Sequence, residues 1–186
     1  RAWLRPAGVG SIILGGIALA PLSLPILPLA PTERYVEAIT FGAFDHVYEL
    51  TGDLRGMFGW KERAESVVRA WQKLSPEEQS EAAILTSWYG PAGAIDFFGR
   101  PYGLPPATSG HMSYHLWGPP KPFEVAVAAD VDPELLAELC EEVEAVERLE
   151  FPEANPGDRF WPVAICRRPR GDLGRDWLRY RDWSHD

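Results

Sequence analysis

The chain has 186 residues, with 18 Lys and Arg against 27 Asp and Glu, a formal net charge of -9 and 46% hydrophobic residues. That length holds one ordinary domain, two at most, and the apolar content excludes a disordered chain. The acidic balance excludes nucleic-acid binding built on phosphate neutralisation, and two cysteines without a CxxC pair exclude a disulfide scaffold or a zinc ribbon.

The first segment carries the clearest signal. No residue from Pro6 to Thr32 is charged, and Val9 to Ala20 is continuously apolar or small. A membrane-spanning helix needs roughly 20 such residues. The run reads as a transmembrane segment, residues 1–32, ahead of one soluble domain, residues 33–186. Two other readings stay open. Ala18-Leu19-Ala20 resembles a signal-peptide cleavage site, and a short part of the run would serve as a buried core helix. Arg1 and Arg5 precede the run and Glu33 follows it. The positive-inside rule then puts the N-terminus in the cytoplasm and the soluble domain on the extracytoplasmic side. A chain starting at Arg1 rather than Met is expected to be a piece of something longer. Residues 33–186 hold 16 basic and 27 acidic residues.

Trp60 to Leu74 sets Trp60, Ala64, Val67, Val68, Trp71 and Leu74 on one face, the mark of an amphipathic helix on a core. Ser75-Pro76-Glu77-Glu78 supplies an N-cap, a first-position proline and first-turn acids for a second helix. Ala83 to Tyr89 reads as a buried strand, and Pro91 to Phe98 as the helix it hands over to. Phe123 to Ala129 is a further strand. After Asp132-Pro133 a helix is expected to carry Leu135, Leu136, Leu139, Val143 and Val146 inward, with Glu138, Glu141, Glu142 and Glu144 on a solvated face. Phe160 to Arg167 is a last strand, marked as an edge by Pro162. Strands alternating with helices predict a small α/β sandwich domain following one transmembrane helix.

Two stretches carry groups suited to binding. Tyr89-Gly90-Pro91-Ala92-Gly93 lies where a strand meets a helix, either an anion site at the helix N-terminus or a tight turn. Leu104 to Pro119 packs Ser109, His111, Tyr114, His115 and Trp117 between proline and glycine brackets, as a sugar or polar head-group pocket does. His111 and His115 at i, i+4 would reach one zinc ion from a helix, with Asp96 as a third ligand, or serve as capping and surface residues. Cys140 and Cys166 would pair in an oxidising compartment, or stand as two buried thiols. His46 and His185 give no pattern. The expected ligand-binding set is Tyr89, Gly90, Asp96, Ser109, His111, Tyr114 and Trp117, with no catalytic or metal-binding residue assigned.

Several motifs follow one another along the chain: Met57-Phe58-Gly59-Trp60, Leu74-Ser75-Pro76-Glu77-Glu78, Tyr89-Gly90-x-Ala92-Gly93-Ala94-Ile95-Asp96, Leu104-Pro105-Pro106-Ala107-x-Ser109-Gly110-His111, Leu116-Trp117-Gly118-Pro119 and Cys166-Arg167-x-Pro169. In this order they resemble the C-terminal region of bacterial family-39 glycosyltransferases, akin to protein O-mannosyltransferases and aminoarabinose transferases. The resemblance implies transfer of a sugar from a polyprenyl-phosphate donor to an acceptor outside the membrane, with a divalent metal in the full-length enzyme. It implies a catalytic carboxylate far N-terminal to this chain, so no catalytic residue carries over, and no cofactor is expected in this domain. Its partners would be the membrane, the rest of the same polypeptide, the donor and an acceptor, and not nucleic acid. Relatives carry Asn where this chain has Trp88 and Met112, and often an aromatic residue at His115. The reading of another class is an exported module that binds a sugar or lipid head group without catalysis.

Overall fold

The structure, a computed structural model, describes residues 3–43 and 52–184. Arg1, His46 and His185 lie outside the described residues. The chain divides into two units, Arg1–Phe58 with Glu153–Pro156, and Gly59–Pro152 with Gly157–Asp186.

In the first unit the uncharged run forms helix α1, Leu4–Ser23. Its 20 residues rise about 30 Å at 1.5 Å each, the thickness of a bilayer's hydrocarbon. None of them is buried, and Ile12, Leu14 and Ile17 are 76%, 70% and 66% exposed. The core-helix reading therefore fails, and α1 is long and apolar enough to cross a membrane. Pro21 falls in its last turn, where the chain is about to leave the helix. Helix α2, Leu29–Ile39, buries Thr32 and Val36, and the Tyr35 hydroxyl donates to the Ala18 carbonyl at 2.5 Å. In the short α3, Gly52–Arg55, the arginine pairs with Glu33 and donates to the Glu153 carbonyl at 3.0 Å.

The second unit is a mixed α/β domain. Helix α4, Trp60–Trp71, buries Ala64, Val67, Val68 and Trp71, as its periodicity predicts. Helix α5, Pro76–Glu81, starts on a capping box: the Glu78 N–H donates to Ser75 Oγ at 3.2 Å, and the Ser75 N–H to Glu78 Oε2 at 2.9 Å. There follow β1 (Ala83–Thr86), α6 (Tyr89–Phe98), β2 (Ala107–Ser109), α7 (Met112–Leu116), β3 (Val125–Ala129), α8 (Pro133–Leu139), β4 (Cys140–Glu150) and β5 (Phe160–Pro169). The sheet order is β2-β1-β3-β5-β4. β1 runs parallel to β2 and β3, and β5 antiparallel to β3 and β4.

Alternation divides β3 between two cores. Val125, Val127 and Ala129 pack with Ile84, Ile165, Trp161 and the inner faces of α4 and α6. Ala126 and Ala128 pack with Leu136 of α8, Phe123, Cys140 and Cys166. All five residues of β3 are buried, which explains its unbroken apolar run. Cys140 and Cys166 form a disulfide with Cα atoms 5.8 Å apart, pinning the start of β4 to β5.

Three expectations are corrected. The helix after Asp132 stops at Leu139, and Cys140–Glu150 is a strand. The register slips between Ala145 and Glu147, a bulge that lets Val146 and Leu149, three residues apart, both pack against the α4 side. A spacing of three or four apolar residues, which reads as helical, is here the product of a bulged strand. Its glutamates are solvated as expected, but each side of the ribbon is paired: Glu141 and Glu142 with Arg168, Glu144 with Arg167, Glu150 with Arg159. Next, Pro162 does not mark an edge, since β5 lies between β3 and β4. The last β3 partner on β5 is Val163, opposite Ala129, and the Pro162 carbonyl accepts from the Asp130 N–H at 2.9 Å. The proline therefore faces the side where β3 has ended, and its missing donor breaks no ladder bond. Finally, β1 ends at Thr86, and Tyr89 opens α6 rather than closing the strand.

Candidate functional site

The seven residues expected to bind a ligand fall at opposite ends of β2. Asp96, Tyr114 and Trp117 lie toward its N-terminal end. From α6, the Asp96 carboxylate accepts from the Ala107 N–H through Oδ1 at 2.8 Å and from the Tyr114 hydroxyl through Oδ2 at 2.9 Å. Burial, and then the Asp96 charge, push the Tyr114 phenol well above its ordinary value, so it remains a donor. Trp117 packs its ring 4.2 Å from that of Tyr114 yet is 70% exposed. Both line an open groove of about 1010 Å³ with Pro105, Thr108, Lys121 and Asp172.

Tyr89, Gly90, Ser109 and His111 gather at the C-terminal ends of β1 and β2, where open parallel sheets present their ligands. Tyr89 is half exposed and stacks on His111, with centroids 5.3 Å apart and planes at 14°. The buried His111 ring meets the Ser184 carbonyl through Nε2 at 2.9 Å, and its Nδ1 has no partner. Ser109 Oγ accepts from the His111 N–H at 3.1 Å and donates to the Ser87 carbonyl at 3.2 Å. A Cβ on Gly90 would meet the Trp88 ring at 2.4 Å, so glycine lets the indole lie flat on the start of α6. At Gly110 a Cβ would meet the Tyr180 carbonyl at 1.8 Å. That close approach admits the segment before Ser184, where the Asp182 carbonyl accepts from the Met112 N–H and the Asp182 N–H donates to the Gly110 carbonyl.

His111 and His115 do not converge. His111 is the residue before α7, while His115 stacks on Trp177 with centroids 4.9 Å apart. Among the described residues no group of three or more His, Cys, Asp or Glu is placed to hold a metal ion.

Sequence reasoning missed the centre of this end of the sheet. Asp130, just past β3, accepts through Oδ2 from Ser87 Oγ at 3.1 Å and from Trp88 Nε1 at 3.0 Å. Its backbone is left-handed, with φ of 58°. Burial raises its carboxyl above the ordinary range, against the lowering by Trp88, Ser87 and Arg63. Arg63, 1% exposed, lies over the rings of Trp60, Phe151 and Trp161 at 5.1, 4.5 and 5.1 Å and donates to the Asp158 carbonyl. Its Nε is buried without a partner, and burial lowers its pKa. The rings run on from Trp161 through Trp60 and Trp88 to Tyr89 at centroid spacings of 6.5, 5.9 and 5.2 Å. The available signal was Asp130 closing an apolar strand; Arg63, on the inner face of α4, carried none.

Comparison with family models, curated proteins and solved structures found no match to this chain.

Proposed function

We propose that this chain is the last span and C-terminal extracytoplasmic domain of a polyprenyl-phosphate-sugar-dependent membrane glycosyltransferase. In this reading it caps a membrane-embedded active site and helps recognise the acceptor, while the catalytic carboxylate and any divalent metal belong to the rest of the polypeptide. The observation that carries it is α1, a 20-residue apolar helix with no buried residue, on the same chain as a disulfide-bonded α/β domain. An unburied apolar helix of this length suits a hydrocarbon environment, and a disulfide persists in an oxidising compartment; both support the reading. Arginine before the span and acid after it support the same side for the domain. Exposed Tyr89 and Trp117, each beside hydroxyl or imidazole groups, suit sugar faces.

Fusion of reporters to the C-terminus tests the sidedness. Alkaline phosphatase is expected to be active and green fluorescent protein dark; the reverse pattern overturns the reading. For the role in transfer, deletion of residues 33–186 from the full-length polypeptide is expected to abolish sugar transfer in membranes. Undiminished transfer would remove the capping role. A mature chain starting near Pro21 would instead favour the exported binding module.

A further inference from the structure

At the C-terminal ends of β1 and β3 one carboxylate is only half used. Both protein donors to Asp130, Ser87 Oγ and Trp88 Nε1, converge on Oδ2. Oδ1 has no protein donor among the described residues, while Ser87, bonded to Oδ2, is exposed and Tyr89, two residues further on, is half exposed. Glycine would hold the left-handed backbone at position 130 at no steric cost. The backbone turn alone does not require the carboxylate, which is used instead on Ser87 and Trp88 of the segment after β1.

We infer that Asp130, Ser87 and Tyr89 form a subsite for a neutral pyranose, with Trp88 as the residue that positions the carboxylate. A sugar hydroxyl donates to Asp130 Oδ1, a second bonds with Ser87 Oγ, and a C–H face of the ring lies on Tyr89. Two observations select a neutral ligand over a phosphate head group. The soluble part carries 16 basic against 27 acidic residues. Arg63, the cation whose field reaches Asp130, is 1% exposed and covered by three rings, so it offers no fork to an anion. The aromatic and carboxylate pairing meets a pyranose on both of its chemistries, apolar face and hydroxyl edge. The inference rests on the reading of this domain as one that meets carbohydrate, and it names the chemical class and the residues.

The test uses the full 186-residue chain in detergent micelles, with its eight tryptophan indole N–H signals resolved by NMR and that of Trp88 assigned by Trp88→Phe. Methyl α-glucopyranoside, methyl α-mannopyranoside and methyl α-galactopyranoside are titrated separately, with glucose 6-phosphate as the anionic comparison. At least one glycoside is expected to move the Trp88 signal saturably, and the phosphate to act more weakly. Asp130→Asn keeps an acceptor for Trp88 and Ser87, so the other indole signals stay in place while glycoside affinity falls by about ten-fold, the loss of one charge-assisted bond. Tyr89→Ala is expected to weaken it as well. No saturable shift with any glycoside, unchanged affinity in Asp130→Asn, or tighter binding of the phosphate would each overturn the subsite. A domain that proves extracytoplasmic yet binds no glycoside keeps the proposed function and loses this site; glycoside binding by a chain with the opposite sidedness does the reverse.

Discussion

Asp96 and Asp130 are two carboxylates of one domain, within reach of the same sheet, and the fold treats them differently. Asp96 has each oxygen matched to a protein donor, the Ala107 N–H and the Tyr114 hydroxyl. Asp130 has both donors on one oxygen, a left-handed backbone and a carboxyl that burial raises. A carboxylate completed by the fold ties elements together, here α6 to β2 and α7. One left incomplete at the C-terminal edge of parallel strands is available to a ligand. Of the two, the sequence motif Gly93-Ala94-Ile95-Asp96 draws attention to the structural one.

The comparison breaks most directly at Asp96. Asp96→Ala leaves the Tyr114 hydroxyl and the Ala107 N–H without their acceptor, and both residues are buried. Two hydrogen bonds to a charged group, discounted for water reaching the half-buried carboxylate, give a loss of about 3 kcal/mol. Urea unfolding of the full chain in micelles is the measurement. A loss under about 1 kcal/mol would make Asp96 as dispensable as a surface residue and dissolve the contrast.

Tyr114→Phe is the milder form of the same cut. It removes one donor to Asp96 Oδ2 and leaves the ring in the core with Ala107, Ile95 and Trp71. The expected loss is about 1–1.5 kcal/mol. Because both changes delete the same Tyr114–Asp96 bond, pairing them should cost less than their sum, and a double-mutant cycle reads that coupling. Strict additivity would mean that the hydroxyl and the carboxylate act independently.

How far these roles were legible in sequence follows from the range over which each is determined. The capping box at Ser75-Pro76-Glu77-Glu78 and the inward face of α4 are set within a turn or two, and both form as the residues predict. The apolar helix α1 is legible for the same reason, since twenty uncharged residues need no partner to be apolar. The hairpin is not, because a bulge in β4 gives Val146 and Leu149 a helical spacing, and the arginines that make it a strand lie on β5. At the site, Tyr89 and His111 are recognisable as types, but their stacking joins residues 22 apart in number. Asp130 meets Ser87 and Trp88 across more than forty residues, and Arg63 finds its cage from α4, β5 and the hairpin end. Such contacts follow from sheet order, and sheet order is the part that local pattern does not encode.

The smallest expected effect is the most discriminating, because its sign is opposite. Burial is the dominant influence on Asp130 and raises its pKa despite the two donors and Arg63. The native state then holds this proton to higher pH than the unfolded chain does. Between the two pKa values the unfolded state binds fewer protons, so stability falls as pH rises through that window and stays lowered above it. Asn at this position keeps an acceptor for Trp88 and Ser87 and does not titrate. Asp130→Asn is therefore expected to be more stable than the parent chain at about pH 7, by no more than about 1 kcal/mol, with the advantage shrinking toward about pH 4. Paired urea titrations at the two pH values give the difference directly. A variant that loses stability at neutral pH, as Asp96→Ala does, would mean that the Asp130 charge is needed by the fold itself. A variant that gains stability while losing glycoside affinity would mark a site where binding is kept at the expense of folding, which is where a ligand-binding carboxylate and a structural one part company.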